Sequence, residues 1–267
     1  MPFDALTWWT EDHPPVTYGG GNRDCVSGRS LVSLQSVRSG LRQLPNAVLS
    51  ACPAGDQAVP MLDPLTAELA SDVATVIRSE ARAIAIAPAA GGYHPSHSRL
   101  FELLEEVTQH GSVRCIYVVE PEPLPVRGRL EVSNLEAFDE LLRYFPHVHF
   151  HFGGMLRAYE SMFRLMVRPA NVTANLAGVL GKPRLLDAVL ERAAEEALSA
   201  RLFFASGFPH LDPTTAIEQL LGHNLWRRDR GLPPLSSEML RGIAERGNPV
   251  DYEPGTEAGR TGSGPKA

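Results

Sequence analysis

Three histidines alternate along one apolar stretch, at positions 147, 149 and 151. Imidazole exchanges protons near neutral pH and ligates divalent ions, so this stretch is the first place to look for chemistry. Residues two apart in a strand share a face. Along that face they lie about 6.5–7 Å apart, which puts the outer two too far from each other to share one ion. His147 belongs to the turn before the strand. His151 has two readings: a general base or holder of a substrate carboxylate, or a histidine packed and hydrogen-bonded in a core. A second candidate sits in Phe203-Phe204-Ala205-Ser206-Gly207-Phe208-Pro209-His210-Leu211-Asp212-Pro213, a buried strand, a tight polar turn and a helix start. Asp212 suits the cap and Pro213 the first helical position. His210 lies in the turn and is paired here with His151 as the candidate acid–base groups. His94 and His97 fall in a Gly-rich loop after a strand, where they would contact substrate or simply be solvated. Glu120 directly follows a strand, as an acid, base or substrate contact, or as a surface carboxylate. The three cysteines, Cys25, Cys52 and Cys115, lack metal-like spacing. Cys115 reads as core, and Cys52 as a small buried side chain or a functional thiol. Gly19-Gly20-Gly21-Asn22 has no strand before it and reads as a turn, not a nucleotide loop.

The elements that must position these groups are apolar runs separated by amphipathic ones. Strands are expected at 3–8, 46–52, 83–87, 113–119, 148–152, 171–176 and 201–205, with the apolar composition of strands buried on both faces. Helices are expected between them. One starts at Asp63-Pro64 and carries Leu65, Leu69, Val73, Val76 and Ile77. The next carries Leu100, Leu103, Leu104 and Val107 at helical spacing. Ser133-Asn134-Leu135-Glu136 has the form of a capping box. Repeated strand–helix units predict an α/β fold with a parallel sheet, closed as a TIM-type barrel or open and doubly wound. That makes seven strands, one short of a barrel, with Ala58-Val59-Pro60 as a remnant of the eighth. The barrel is therefore expected to be abbreviated or irregular by one strand–helix unit. Residues 1–250 form one domain in this reading, and 251–267, rich in Gly, Pro, Thr and Ser, a disordered tail.

A net charge of −6 gives no footprint for nucleic acid, and no apolar run is long enough to span a membrane. The first residues lack a basic region before an apolar stretch, so a cytoplasmic location is expected.

Several segments resemble the amidohydrolase-related family, which includes decarboxylases of aromatic or muconate-type acids. Residues 82–88 with Gly92-Tyr93-His94-Pro95 resemble its fourth strand and loop. His149-Phe150-His151-Phe152-Gly153-Gly154 resembles the sixth-strand His-x-Gly-Gly motif. Pro169-Ala170-Asn171-Val172 before Ala174-Asn175-Leu176 resembles the seventh strand, and 204–212 the eighth, which usually reads Phe-Gly-Ser-Asp-Tyr/Phe-Pro. The resemblance runs from about residue 3 to residue 248. It implies a barrel whose strand ends hold a divalent ion on imidazoles and a carboxylate. At the matching positions this chain departs from the family. Asp4-Ala5-Leu6-Thr7-Trp8 has Leu6 and Trp8 for the two first-strand histidines, Tyr117 or the adjacent valine matches the fifth-strand histidine, and Gly207 the eighth-strand aspartate. Leu and Gly offer no donor atom, and the indole N–H cannot ligate. The resemblance thus implies a divergent member without the usual metal site, and no cofactor is expected. Trp8, His94, Tyr117 and Glu120 are the expected substrate contacts. The implied function is a small-molecule-binding or non-catalytic homologue, as a homo-oligomer or beside an active homologue. The alternative is a hydrolase or decarboxylase-like lyase acting on a small organic acid or amide, with histidine-based or displaced-metal chemistry.

Overall fold

The computed structural model describes residues 1, 3–9, 25–33, 48–50, 52–120, 135–208 and 210–253. Eight parallel strands lie in these residues: β1 (Phe3–Trp9), β2 (Gly28–Ser33), β3 (Gln57–Val59), β4 (Ala83–Ile86), β5 (Cys115–Val119), β6 (His149–Gly153), β7 (Val172–Asn175) and β8 (Leu202–Phe203). They form a three-stranded sheet, β1-β2-β3, and a five-stranded sheet, β4 to β8, each in chain order. Backbone hydrogen bonds bridge both gaps. Ala85 N–H donates to Pro60 O and Leu62 N–H to Ala85 O, each at 2.9 Å. Ala5 N–H donates to Phe204 O at 3.0 Å. The strands therefore follow one another around a (β/α) barrel.

Alternation along the strands builds two cores. Ile84, Ile86, Ile116, Val118, Phe150 and Phe152 point outward into one cluster with the helices. Ala83, Ala85, Cys115, Tyr117, Val119 and Phe203 point inward. The inward face of β4 is all alanine, so rings from the other strands fill the lumen. The outer layer comprises α1 (Leu69–Arg78), α2 (Pro88–Gly91), α3 (Ser98–His110), α4 (Asp139–Tyr144), α5 (Tyr159–Val167), α6 (Pro183–Glu195), α7 (Pro213–Leu221), α8 (His223–Arg228) and α9 (Ser237–Ala244). In α3 the buried positions are Leu100, Leu103, Leu104 and Val107, the face its spacing predicts. Asp212 caps α7, accepting from Thr214 N–H at 2.9 Å and Thr215 N–H at 3.3 Å.

Four expectations change. The strand expected at 46–52 is a helical turn at 48–50, and the second strand is 28–33. The latter hides behind polar residues: Arg29 is buried because its guanidinium pairs with Asp56 at 2.8 Å. The remnant at Ala58-Val59 is a real strand, β3, so the count is eight and the irregularity lies in the three-residue β3 and two-residue β8. The helix expected from Asp63 starts at Leu69, because the Asp63 carboxylate takes the Leu65 N–H at 2.8 Å and folds a turn first. The tail boundary also moves: Asp251 pairs with Arg82, and the Tyr252 ring packs 4.9 Å from His149 and 6.1 Å from Phe203. Residues 254–267, residues 121–130 and the expected capping residues Ser133-Asn134 lie outside the described residues, as do Gly19-Gly20-Gly21-Asn22.

Candidate functional site at the strand tips

A cavity of about 270 Å³ opens beyond the carboxyl ends of β5 to β8, lined by Glu120, Gly154, Ala177, Lys182, Ser206 and His210 among others. This is the end of a (β/α) barrel where loop residues converge. Glu120 is its most perturbed group. The carboxylate accepts the Ala89 N–H at 2.9 Å and the Ala90 N–H at 3.3 Å, both from α2. Burial pushes its pKa up to about 7, and the two N–H groups hold it from rising further. Near neutrality Glu120 thus exists as both acid and carboxylate. Lys182, at the start of α6, is exposed and has no ion pair among the described residues.

The cavity floor is set by Ser206. Its N–H donates to Asp4 Oδ1 at 3.0 Å, its hydroxyl donates to Asp4 Oδ2, and Phe208 N–H donates back to Ser206 Oγ at 3.1 Å. Asp4 is fully buried, so this carboxylate both fixes the last turn and ties β1 to it. Gly207 then takes a left-handed φ of +66°. A Cβ there would lie 3.3 Å from the Ala177 Cβ.

Below the cavity a polar column descends through the lumen. Asn175 Oδ1 accepts the Gly154 N–H at 3.3 Å and the Ala177 N–H at 3.2 Å. Its amide nitrogen must therefore donate to His151 Nε2, at 3.0 Å. That leaves His151 with its proton on Nδ1, donated to Thr173 Oγ1 at 2.9 Å. The Thr173 hydroxyl in turn donates to His149 Nε2 at 2.6 Å. The amide orientation fixes His151, and His149 follows because the Thr173 hydroxyl has no other acceptor among the described residues. Burial lowers the His149 pKa to about 3, with the Pro249 carbonyl offsetting part of the shift. Burial, then the neighbouring His149, holds His151 well below the ordinary histidine range. Tyr117 is also buried, its hydroxyl 2.7 Å from Ser30 Oγ and its ring 4.9 Å from that of His151.

The expected site residues thus separate. Glu120 and His210 line the cavity. His151 and Tyr117 lie in the lumen, outside its lining, and His151 is linked to the lining through Asn175, which accepts from Gly154 and Ala177. His94 is exposed, its Nδ1 closing a local turn with Ser96 Oγ at 2.7 Å. Trp8 lies in β1, its backbone in register with Val32; its side chain falls outside the described residues. Sequence reasoning passed over Lys182, Thr173, Asn175 and the Asp4–Ser206 pair. Thr173 and Asn175 did carry a signal, two polar residues at period two inside an apolar strand.

Both nitrogens of His151 are engaged, Tyr117 is hydrogen-bonded and deeply buried, and Gly207 sits where a side chain would strain the backbone and press on Ala177. Among the described residues no three of His, Cys, Asp and Glu gather as a ligand set. Among them, too, no helix is long and apolar enough to cross a membrane.

A parallel barrel with a polar pocket at its carboxyl face defines a large class of enzymes and their relatives. Within that class, the amidohydrolase family profile matches residues 36–250, and the chain belongs to that family. Comparison with curated proteins finds no match. Among solved structures, an amidohydrolase from Burkholderia multivorans with bound HEPES superposes with a TM-score of 0.59 at 12% identity, covering 91% of this chain and 96% of that one. A putative 2-pyrone-4,6-dicarboxylic acid hydrolase from Pseudomonas putida gives 0.55 at 15% identity, covering 92% and 98%. The 5-carboxyvanillate decarboxylase of Sphingomonas paucimobilis gives 0.55 at 12% identity, covering 84% and 78%. At such identities the likeness is one of fold, the TIM-type barrel.

Proposed function

We propose that the strand-tip cavity binds a small organic acid without a divalent ion. The observation that carries this reading is Glu120: a carboxyl buried in the lining, with a pKa of about 7, in a cavity that the cation of Lys182 also lines. A ligand carboxylate would meet the Lys182 ammonium and accept a hydrogen bond from protonated Glu120, with His210 at the rim. Both contacts favour an anion, and only the second depends on pH. The donors missing at Leu6, Trp8 and Gly207 are why no metal step enters the reading.

The test is a thermal-shift and calorimetric screen of small aromatic and dicarboxylic acids, the class named for two of the structural neighbours. Binding should tighten as pH falls from 8 to 6, through the Glu120 titration, and lose that dependence in Glu120→Gln. Lys182→Ala should weaken it at both pH values. Affinity that ignores pH and both substitutions refutes the reading.

A second reading rests on the same pKa. A group half-protonated near pH 7 gives and takes protons with equal ease, the condition for general acid–base catalysis. The chain would then be a metal-free hydrolase or decarboxylase-like lyase acting on a small organic acid or amide. Glu120 and His210 would handle protons, and His151 would act from below through Asn175. Turnover of any screened acid or amide that disappears in Glu120→Gln selects this reading; turnover unchanged in Glu120→Gln and His210→Ala discards it. A non-catalytic chain, by contrast, would pair with a second copy or an active homologue in the cytoplasm, which native mass measurement on cell-derived protein would reveal.

A further inference from the structure

The opposite mouth of the barrel holds a larger cavity, of about 580 Å³, within the range of small-metabolite sites. Its walls are the residues that lead into three strands, Arg82 before β4, Arg114 before β5 and His147 before β6, with His149 inside. The chain returns across it at Asp251 and Tyr252. Nothing in the strand-tip reading uses this cavity.

The column of fixed tautomers ends here. His149 accepts at Nε2 from Thr173, so a neutral ring carries its proton on Nδ1. That Nδ1 is buried and has no hydrogen-bond partner; the Pro249 carbonyl is near without completing a bond. A buried donor without an acceptor is costly, and native proteins rarely leave one unmet. Of the other polar groups, the two carboxylates are taken: Asp251 pairs with Arg82, and Glu253 also has a partner; the rest are donors. Arg114 and His147 are exposed, and neither side chain has a partner among the described residues. Arg82 is engaged by Asp251. Thr108 and Ser112 spend their hydroxyl protons on the carbonyls of Leu104 and Ala81, at 2.6 Å and 2.8 Å. The cavity therefore presents unmet donors, one of them a fixed cation.

We infer that this cavity is a second binding site, for a small molecule bearing an oxyanion, a carboxylate or a phosphate. Arg114 and His147 hold the anion, and an acceptor atom of the ligand takes the His149 Nδ1–H. The Tyr252 ring, packed on the imidazole, covers the ligand's inner edge. The site is independent of Glu120 and of whatever the strand tips bind.

Nitrogen NMR of the histidine rings in the full chain tests this, with benzoate and inorganic phosphate as probes. The His149 ring should read as the Nδ1–H tautomer, and its Nδ1 resonance should shift saturably with at least one probe. The probe that binds tighter identifies the anion. Arg114→Ala, at an exposed position and with its fold checked by circular dichroism, should weaken that binding about tenfold. Glu120→Gln should leave it unchanged. Three outcomes overturn the inference: no saturable shift with either probe at millimolar concentration, equal affinity in Arg114→Ala, or loss of the shift in Glu120→Gln. The last would mean that the resonance reports the strand-tip cavity instead. Failure of the Glu120 screen alone leaves this site standing.

Discussion

Replacing Thr173 by valine tests whether the lumen column is a true hydrogen-bonded unit. Valine keeps the shape and the branched β-carbon that suits a strand, and removes only the hydroxyl. That hydroxyl is fully buried and serves two rings, as acceptor for His151 and donor to His149. His151 cannot escape by moving its proton, because Nε2 must still accept from Asn175, whose amide is locked by Gly154 and Ala177. Its Nδ1–H is left unpaired. His149 cannot escape either, since neither nitrogen then has a partner. Each stranded group costs about 1–3 kcal/mol, so the pair costs about 2–6 kcal/mol. At about 2–4 °C per kcal/mol for a domain this size, a loss of about 3 kcal/mol lowers the melting temperature by about 6–12 °C. Urea unfolding measures the loss directly, as a lower midpoint with an unchanged slope. Thr173→Ser keeps the hydroxyl and should recover most of it. A loss below about 0.5 kcal/mol, the range of neutral surface changes, refutes the column, as does a serine variant no better than valine.

The same rings make the protein acid-sensitive. Their folded pKa values lie below the unfolded value of 6.5, to about 3 for His149, so the stability tied to their neutrality is complete above pH 6.5 and drains as pH falls. Urea unfolding should show a loss of about 1.7 kcal/mol per histidine between pH 6.5 and 5, the slope approaching about 1.4 kcal/mol per pH unit at the acid end; a flat profile contradicts the assignment. Gly207→Asp, which writes the family carboxylate back, should cost about 1–2 kcal/mol because φ is +66°, and should confer no manganese or zinc binding in calorimetry. Tight stoichiometric metal in that variant would show that the other donors survive. Arg227 is buried and bonded to Asp187, Glu191 and the Pro233 carbonyl. Arg227→Ala should cost about 3–5 kcal/mol in thermal or urea unfolding, and a loss under 1 kcal/mol would mean that water replaces it.

From β4 onward the elements were legible in the sequence; before it they were read poorly. Strands β4 to β7 announce themselves as apolar runs because both of their faces are covered, and α3 as a stripe of four leucine and valine positions. β2 did not, because Arg29 and Ser30 break its apolar run, and each is satisfied by a residue distant in sequence, Asp56 and Tyr117. Helix α1 was placed early because Asp63-Pro64 has the form of a cap, while the carboxylate closes a separate turn. At the site, Glu120 was visible by its place after a strand. Its pKa was not, since the burial that raises it comes from α2 folding over it. His151 stood out by type, yet its role is set by Thr173 and Asn175, and no single residue's identity reveals which nitrogen carries a proton. Lys182 entered the cavity only through the turn at Gly181, which spacing alone does not locate.

The contact between Asp4 and Ser206 spans 202 positions. A nascent chain emerging at about 5–20 residues per second therefore carries its first strand for about 10–40 s before the partner exists. Throughout that interval one flank of β1 is an open template for any other extended segment. Ribosome stalling short of position 204 would leave this flank unsealed, and with it a species inclined to stick to its neighbours. Chaperone dependence in the living cell should rise as translation between β1 and position 204 is slowed.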